Sequence, residues 1–420
     1  MMNENVEVAA LIPNQRRYKK KCRRQAFCIS YVLLWVVCAF VAVITIGVVY
    51  NSLPEDALAR ANALLTTNPV IDGHNDLSYE LRHHFKNQLN KVNLRLNSSV
   101  NGSTWQTDIP RLKAGKLGAQ FWSSYMPCAT QYKDATRTFI DQIDVIKLFV
   151  RNYSDTFMFA TSVDDIQTAY DKGLIASLVG VEGGHAIDSS LSTLRQLYSL
   201  GARYLTLTHS CNNPWAHSSV DVNATEGLSD FGKAVVLEMN RLGMLVDISH
   251  VNVPTMQDAI ATSTAPVIFS HSSARALCDN PRNVPDDILV KLKTNNGIVM
   301  VNFFAQFINC TSPEDASLED VADHIDHIKM IAGVDHIGIG SDFDGIPMTP
   351  KGLEDVSKYP YLFAELIRRG YTDDEIKKIA RKNLIRVLQD VEKVRDNLAT
   401  TFPNNQLIDP QPNETCRPDF

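Results

Sequence analysis

Hydrophobic and polar positions follow a strand–helix rhythm along most of this chain. Short apolar runs close on, or just before, a polar residue fit for chemistry: Pro69–His74, Gly118–Ser124, Leu174–Glu182, Ala202–His209, Gly243–His250, Ala265–His271, Gly297–Asn302 and His336–Asp342. Several are apolar at almost every position, as in Pro266-Val267-Ile268-Phe269. Parallel strands covered on both faces have that pattern, whereas half-exposed strands alternate. Between the runs lie segments with helical spacing, at Asp134–Val150, Leu191–Leu200, Phe231–Leu242, Val253–Thr262, Pro285–Lys293 and Ser317–Ala332. Leu53–Thr66 reads as a lead-in helix with Pro54 near its first turn, and Thr372 with Glu375 as a capping box opening the last long helix. Glu80–Asp108 reads as an exposed polar insertion, and residues 401–420 as an irregular tail. The alternation predicts an α/β fold, a (β/α)₈ TIM-type barrel occupying residues 51–400.

In such a barrel the carboxyl ends of the strands form the mouth that carries chemistry. Stability alone does not concentrate His, Glu and Asp there. In Asp72-Gly73-His74-Asn75-Asp76, His74 and Asp76 are two apart and share one face of an extended strand. Glu182, His250 and His271 add ligands from later strand ends. Nitrogen and oxygen donors without thiolate suit a catalytic zinc centre, and a bridging carboxylate could serve two ions. A lone strand-end histidine is usually structural; the ordered series is what carries the signal. Gly180-Val181-Glu182-Gly183-Gly184 lacks both the dinucleotide and the P-loop spacing, and no Gly-x-Ser-x-Gly elbow occurs, so phosphate cradling and serine hydrolysis are disfavoured.

The amino terminus is of another kind. Basic residues from Arg16 to Arg24 precede an uncharged stretch, Ala26–Tyr50, long enough to cross a bilayer as a helix. The basic flank places residues 1–25 in the cytoplasm, residues 26–50 in the membrane as an uncleaved signal anchor, and the rest outside, a single-pass type II plasma-membrane topology. The rival reading, a cleaved signal peptide, calls for a shorter apolar region and a prompt small-residue cleavage site. Asn97, Asn101, Asn152, Asn223, Asn309 and Asn413 head glycosylation sequons, all on the outer side. Cys128, Cys211, Cys278 and Cys310 follow the second, fourth, sixth and seventh runs, so two disulfides could tie the loops at the mouth. Cys416 is then left to link two copies of the chain in a homodimer. The net charge of −6 offers no basic surface for nucleic acid.

Long, ordered motifs resemble the membrane (renal) dipeptidase family of zinc peptidases. They are Asp72–Asp76, Gly180–His185, Leu205–Asn212, Leu245–His250, Phe269–Ser273, Arg282–Asp286 and Ser341–Gly345, within a likeness spanning nearly all of Pro69–Gln389. The resemblance implies a barrel peptidase that hydrolyses dipeptides with two zinc ions per chain. It implies His74 and Asp76 on one zinc, His250 and His271 on the other, and Glu182 bridging. It also implies His209 at the scissile region, Arg282 on the substrate carboxylate, and Asp342 managing protons. His185 is a candidate partner behind the ligands. Disulfides Cys128–Cys211 and Cys278–Cys310, and an interchain link through Cys416, follow from the same resemblance. Vertebrate relatives carry a C-terminal glycolipid anchor, which the N-terminal segment here is expected to replace. Two other readings stay open: a metal-dependent amidohydrolase acting on another amide, and a catalytically silent surface glycoprotein.

Overall fold

The computed structural model describes residues 34–37, 54–96, 99–100 and 103–408. Residues 34–37 form a helical turn. The rest of the expected anchor, the basic tail, Asn97, Asn101, Asn413 and Cys416 lie outside the described residues. Among the described residues no helix is long and apolar enough to cross a membrane.

The apolar runs form the expected strands: β1 (Val70–Asn75), β2 (Leu117–Tyr125), β3 (Ile175–Glu182), β4 (Ala202–Thr206), β5 (Leu245–Asp247), β6 (Ile268–Phe269), β7 (Ile298–Val301) and β8 (Ile337–Ile339). Each pairs in parallel with its neighbours in sequence, β8 returns to β1, and β2 pairs with β3, so the barrel closes. A short strand, Phe157–Phe159, pairs in parallel with the first residues of β3, which the hydrophobic pattern did not announce. Closure satisfies the backbone of both edges, and every barrel strand but β4, where Arg203 is half-buried, is buried along its length or nearly so.

The connecting helices match the apolar periodicity, for example Leu191–Ser199, with Leu191, Leu194 and Leu197 buried, and Val253–Thr262. The lead-in helix begins later than expected. Asp56 caps it by accepting from Ala59 N–H at 2.8 Å, so it spans Ala57–Thr67 and Pro54 precedes it. The Thr372–Glu375 capping box is present, and the helix it opens passes through a π-helical turn, Lys378–Lys382, before continuing as Asn383–Asn397. Asn383 there donates to the carbonyls of Val334 and Ile337, tying the helix to the start of β8.

The insertion after β1 departs from expectation. Its first part is a helix, Leu77–Phe85, and its end is buried at Trp105, Thr107 and Asp108. Polar composition concealed this, because Ser78 and Leu81 face β2 and the next helix while the charged residues face outward or toward the mouth.

The barrel interior is packed around Tyr204. A methyl group on Gly180 of the neighbouring strand would collide with the Tyr204 ring, so this position needs glycine. Both disulfides form as the resemblance implied, Cys128–Cys211 and Cys278–Cys310. Each ties two loops at the barrel mouth. Asn152 and Asn223 are exposed, and Asn309 Oδ1 accepts from the N–H groups of Thr311, in its own sequon, and of Ser312 just beyond it.

Candidate active site

Two buried aspartates fix the strand ends that carry the site. Asp72 Oδ1 accepts from the N–H groups of His74 (3.0 Å) and Ser341 (2.9 Å), and its Oδ2 accepts from Ser341 Oγ and the Tyr359 hydroxyl. Asp247 repeats the device: Oδ1 accepts from Ser249 and Ser270 N–H, and Oδ2 from Thr206 Oγ1 and Ser270 Oγ. Each carboxylate sutures two strand ends and aims the histidine that follows. The sequence reading quoted both aspartates inside motifs and gave them no role.

The side chains so aimed converge. His74 Nε2 lies 3.1 Å from Asp76 Oδ2 and 3.4 Å from Glu182 Oε2. Across the carboxylate, Glu182 Oε1 lies 3.1 Å from His250 Nε2 and 3.5 Å from His271 Nε2, and these two nitrogens face each other at 2.9 Å. The two oxygens of Glu182 therefore serve two separate groups. Ser123 Oγ donates to Oε2 at 3.0 Å and holds the carboxylate in place. All five expected ligands are brought together and buried.

The donor chemistry suits metal ions. Ser270 gives its hydroxyl hydrogen to Asp247, so at 2.8 Å it accepts from His271 Nδ1–H, leaving a lone pair on His271 Nε2. Burial, with the cationic groups around them including Arg282, holds the imidazoles of His250 and His271 well below their ordinary value. Burial opposes charge on Glu182 as well, but His74 and His250 hold its carboxyl well below the usual range. Neutral nitrogens and a carboxylate oxygen, crowded within one hydrogen-bond length, are an electron-rich set that a cation would satisfy. His74 Nδ1 pairs with the Tyr204 hydroxyl at 2.8 Å, which sets that ring's orientation.

The remaining expected residues surround this cluster. His209 Nε2 is 3.9 Å from Glu182 Oε1, its ring packs against Tyr125 and His250, and its Nδ1 has no hydrogen-bond partner among the described residues. Asp342 Oδ1 is 3.9 Å from His74 Nε2, and burial holds its carboxyl well above the usual range. His250 and Asp342 both have left-handed backbone, with φ of 68° and 67°. Non-glycine residues pay for that conformation, and such strain collects at functional sites.

A loop arginine is commonly exposed and ion-paired, but Arg282 is neither: it is buried and makes no ion pair among the described residues. Its guanidinium donates to Ser272 Oγ (3.3 Å) and the His271 carbonyl (3.2 Å), lies over the Phe307 ring, and leaves Nε without a partner. Burial pulls its pKa down to about 10. His185 hydrogen-bonds the Met126 carbonyl rather than any of the clustered ligands.

Asp76, Glu182, His209, His250, Arg282 and Asp342 line a cavity of about 540 Å³, with Tyr79, Glu80, Tyr125 and Asp344 also in its wall. Sequence reasoning missed those four. One signal was present: Glu80 follows Asp76 by four positions, the spacing that puts two side chains on one helix face.

Comparison with known proteins agrees with the geometry. The model of the membrane dipeptidase family (peptidase family M19) matches residues 58–401. A metallo peptidase from Rhodobacter sphaeroides, solved with a phosphinate mimic of the dipeptide L-Ala-D-Ala, is 26% identical, with TM-score 0.70 over 77% of this chain and 99% of its own. The dipeptidase AC, a metallo peptidase of family M19, is 28% identical, with TM-score 0.70 over 77% and 99%. An amidohydrolase from Pseudomonas aeruginosa is 25% identical, with TM-score 0.67 over 79% and 98%. A closed parallel barrel, a buried cluster of side chains able to hold a metal ion at its mouth and a family match over most of its length establish that this chain belongs to the membrane dipeptidase family M19 and is a metallo-dipeptidase.

Proposed function

We propose that the chain hydrolyses dipeptides at the cell surface, using two zinc ions that share Glu182. The observation that carries this reading is the split of the Glu182 carboxylate, with Oε2 toward His74 and Oε1 toward His250 and His271. His74, Asp76 and Glu182 would hold one ion, and Glu182, His250 and His271 the other. When bound, the ions supply Lewis acidity and a water acidic enough to ionise near neutral pH.

The chain's own residues do the rest. Arg282, with an unpartnered Nε at the cavity, pairs with the free carboxylate of a dipeptide. That requirement favours very short peptides and argues against amide substrates lacking a carboxylate. His209 lines the same cavity and hydrogen-bonds the scissile carbonyl, steadying the charge that develops there. Asp342 takes a proton at its carboxylate and returns it to the departing amine. Tyr125 and Phe307 flank the cavity and limit the water that reaches it. The phosphinate dipeptide mimic held by the Rhodobacter sphaeroides relative supports a dipeptide as the ligand.

The test is hydrolysis of alanyl-alanine by purified full-length protein, with its zinc content measured alongside. About two zinc ions per chain are expected, with loss of at least ~100-fold in activity on chelation and recovery with zinc. Full activity in metal-free protein would sink the reading.

The location at the plasma membrane, with the catalytic domain outside, rests on the basic run before the uncharged Ala26–Tyr50 stretch and on the outer-side sequons. With the four barrel cysteines paired, Cys416 is proposed to join two chains. Non-reducing electrophoresis should give a band of twice the monomer mass that Cys416→Ser abolishes. A wild-type protein running only as monomer rejects the link.

A further inference from the structure

The cavity is electrically lopsided. Arg282 stands on the loop after β6. Two to four strands further around the ring, after β8 and β1 and at the end of β2, the lining is acidic and aromatic: Asp344, Tyr79, Glu80 and Tyr125. Glu80 lies on the helix Leu77–Phe85, one turn beyond Asp76. His84 Nε2 is 2.9 Å from Glu80 Oε2, an i,i+4 pair that steadies the side chain. No other hydrogen bond reaches the Glu80 side chain among the described residues.

Asp344 lies on the same wall without a cation paired to it among the described residues. It is buried, its Oδ1 accepts from Gln106 N–H at 2.6 Å, and the Thr107 hydroxyl hydrogen-bonds its carboxylate. Its carboxylate is near enough to Glu80 to be repelled by it, and burial pushes it up to about 7. Arg111, the basic group that Asp344 feels, is held by Asp108 and Asp355. Tyr79 and Tyr125 meet edge-on, with ring centroids 5.1 Å apart, and Ile346 lies on the same wall. Two carboxylates with no lysine or arginine paired to them among the described residues, aromatic rings and an apolar patch are what the long stem and cationic head of a basic side chain need.

We infer that this wall is a subsite for a positively charged side chain, lysine or arginine, on the N-terminal residue of the dipeptide, and that Glu80 selects it. The inference rests on the dipeptide reading above: with the substrate carboxylate on Arg282, the N-terminal residue lies toward the opposite wall. Glu80 acts on specificity and takes no part in bond breaking.

The experiment uses zinc-loaded full-length protein and three substrates: Lys-Ala, norleucyl-Ala, which keeps the stem and lacks the charge, and Glu-Ala. In the wild type, kcat/KM for Lys-Ala should exceed that for norleucyl-Ala by about tenfold, the scale of one hydrogen bond to a charged group. Glu80→Gln should bring the ratio to within about twofold of unity, and Glu80→Lys should favour Glu-Ala over Lys-Ala. A wild-type ratio near one overturns the inference. So does a ratio that survives Glu80→Gln, or an equal fall for both substrates, which would mean that Glu80 reads the α-ammonium shared by every dipeptide. Failure to hydrolyse any of the three defeats the dipeptide reading itself and is distinguishable from these outcomes.

Discussion

Replacing Glu182 by glutamine will lower kcat/KM for alanyl-alanine by at least ~10³-fold and leave the protein short of metal. Glutamine matches the shape of glutamate, so the change isolates the chemistry. The carboxylate offers acceptor oxygens on both sides, one toward His74 and one toward His250 and His271. An amide must turn its NH₂ to one side, which places hydrogen atoms where a lone pair is needed. It also removes the negative charge at the centre of the cluster. The measurement pairs metal content by mass spectrometry with steady-state hydrolysis, and a thermal melt confirms folding. A folded Glu182→Gln protein that retains two ions and near-normal activity would remove the bridging role.

Arg282→Ala is expected to reduce kcat/KM for dipeptides by ~10²–10³-fold, the cost of deleting one partner of a buried charge pair. The same variant should treat a C-terminally amidated dipeptide no worse than the wild type does, because that substrate has no carboxylate to lose. Arg282→Lys should recover little. Lysine keeps the charge but lacks the planar fork, and the Ser272 and His271 contacts that aim the guanidinium would not form in the same geometry. Equal losses on free and amidated dipeptides would show that Arg282 supports the fold of the loop instead of reading the substrate.

The barrel and its ligands were legible because two periodicities coincide. Fully buried parallel strands give unbroken apolar runs, and a barrel puts its chemistry at their carboxyl ends, so His74, Glu182, His250 and His271 mark themselves. What surrounds them was less legible. Asp72 and Asp247 act through backbone N–H groups of other strands, and only the closed ring brings Ser341 to Asp72 or Ser270 to Asp247. Glu80 and Asp344 lie apart in sequence and meet only because β8 pairs with β1. The helix Leu77–Phe85 was obscured by a polar composition that serves the cavity on one side and solvent on the other. For Arg282, sequence could supply the charge but not its burial, which decides whether an arginine is a surface ornament or a binding group.

The left-handed backbone at His250 and Asp342 sets the stability of the chain against its chemistry. Each such residue costs ~1–3 kcal/mol that a glycine at the same position would largely avoid. Glycine would relieve the backbone at either position, yet it would remove the imidazole or the carboxylate that the proposed chemistry uses. A glycine variant at either position should therefore lose activity without losing the fold, the usual opposition between stability and function.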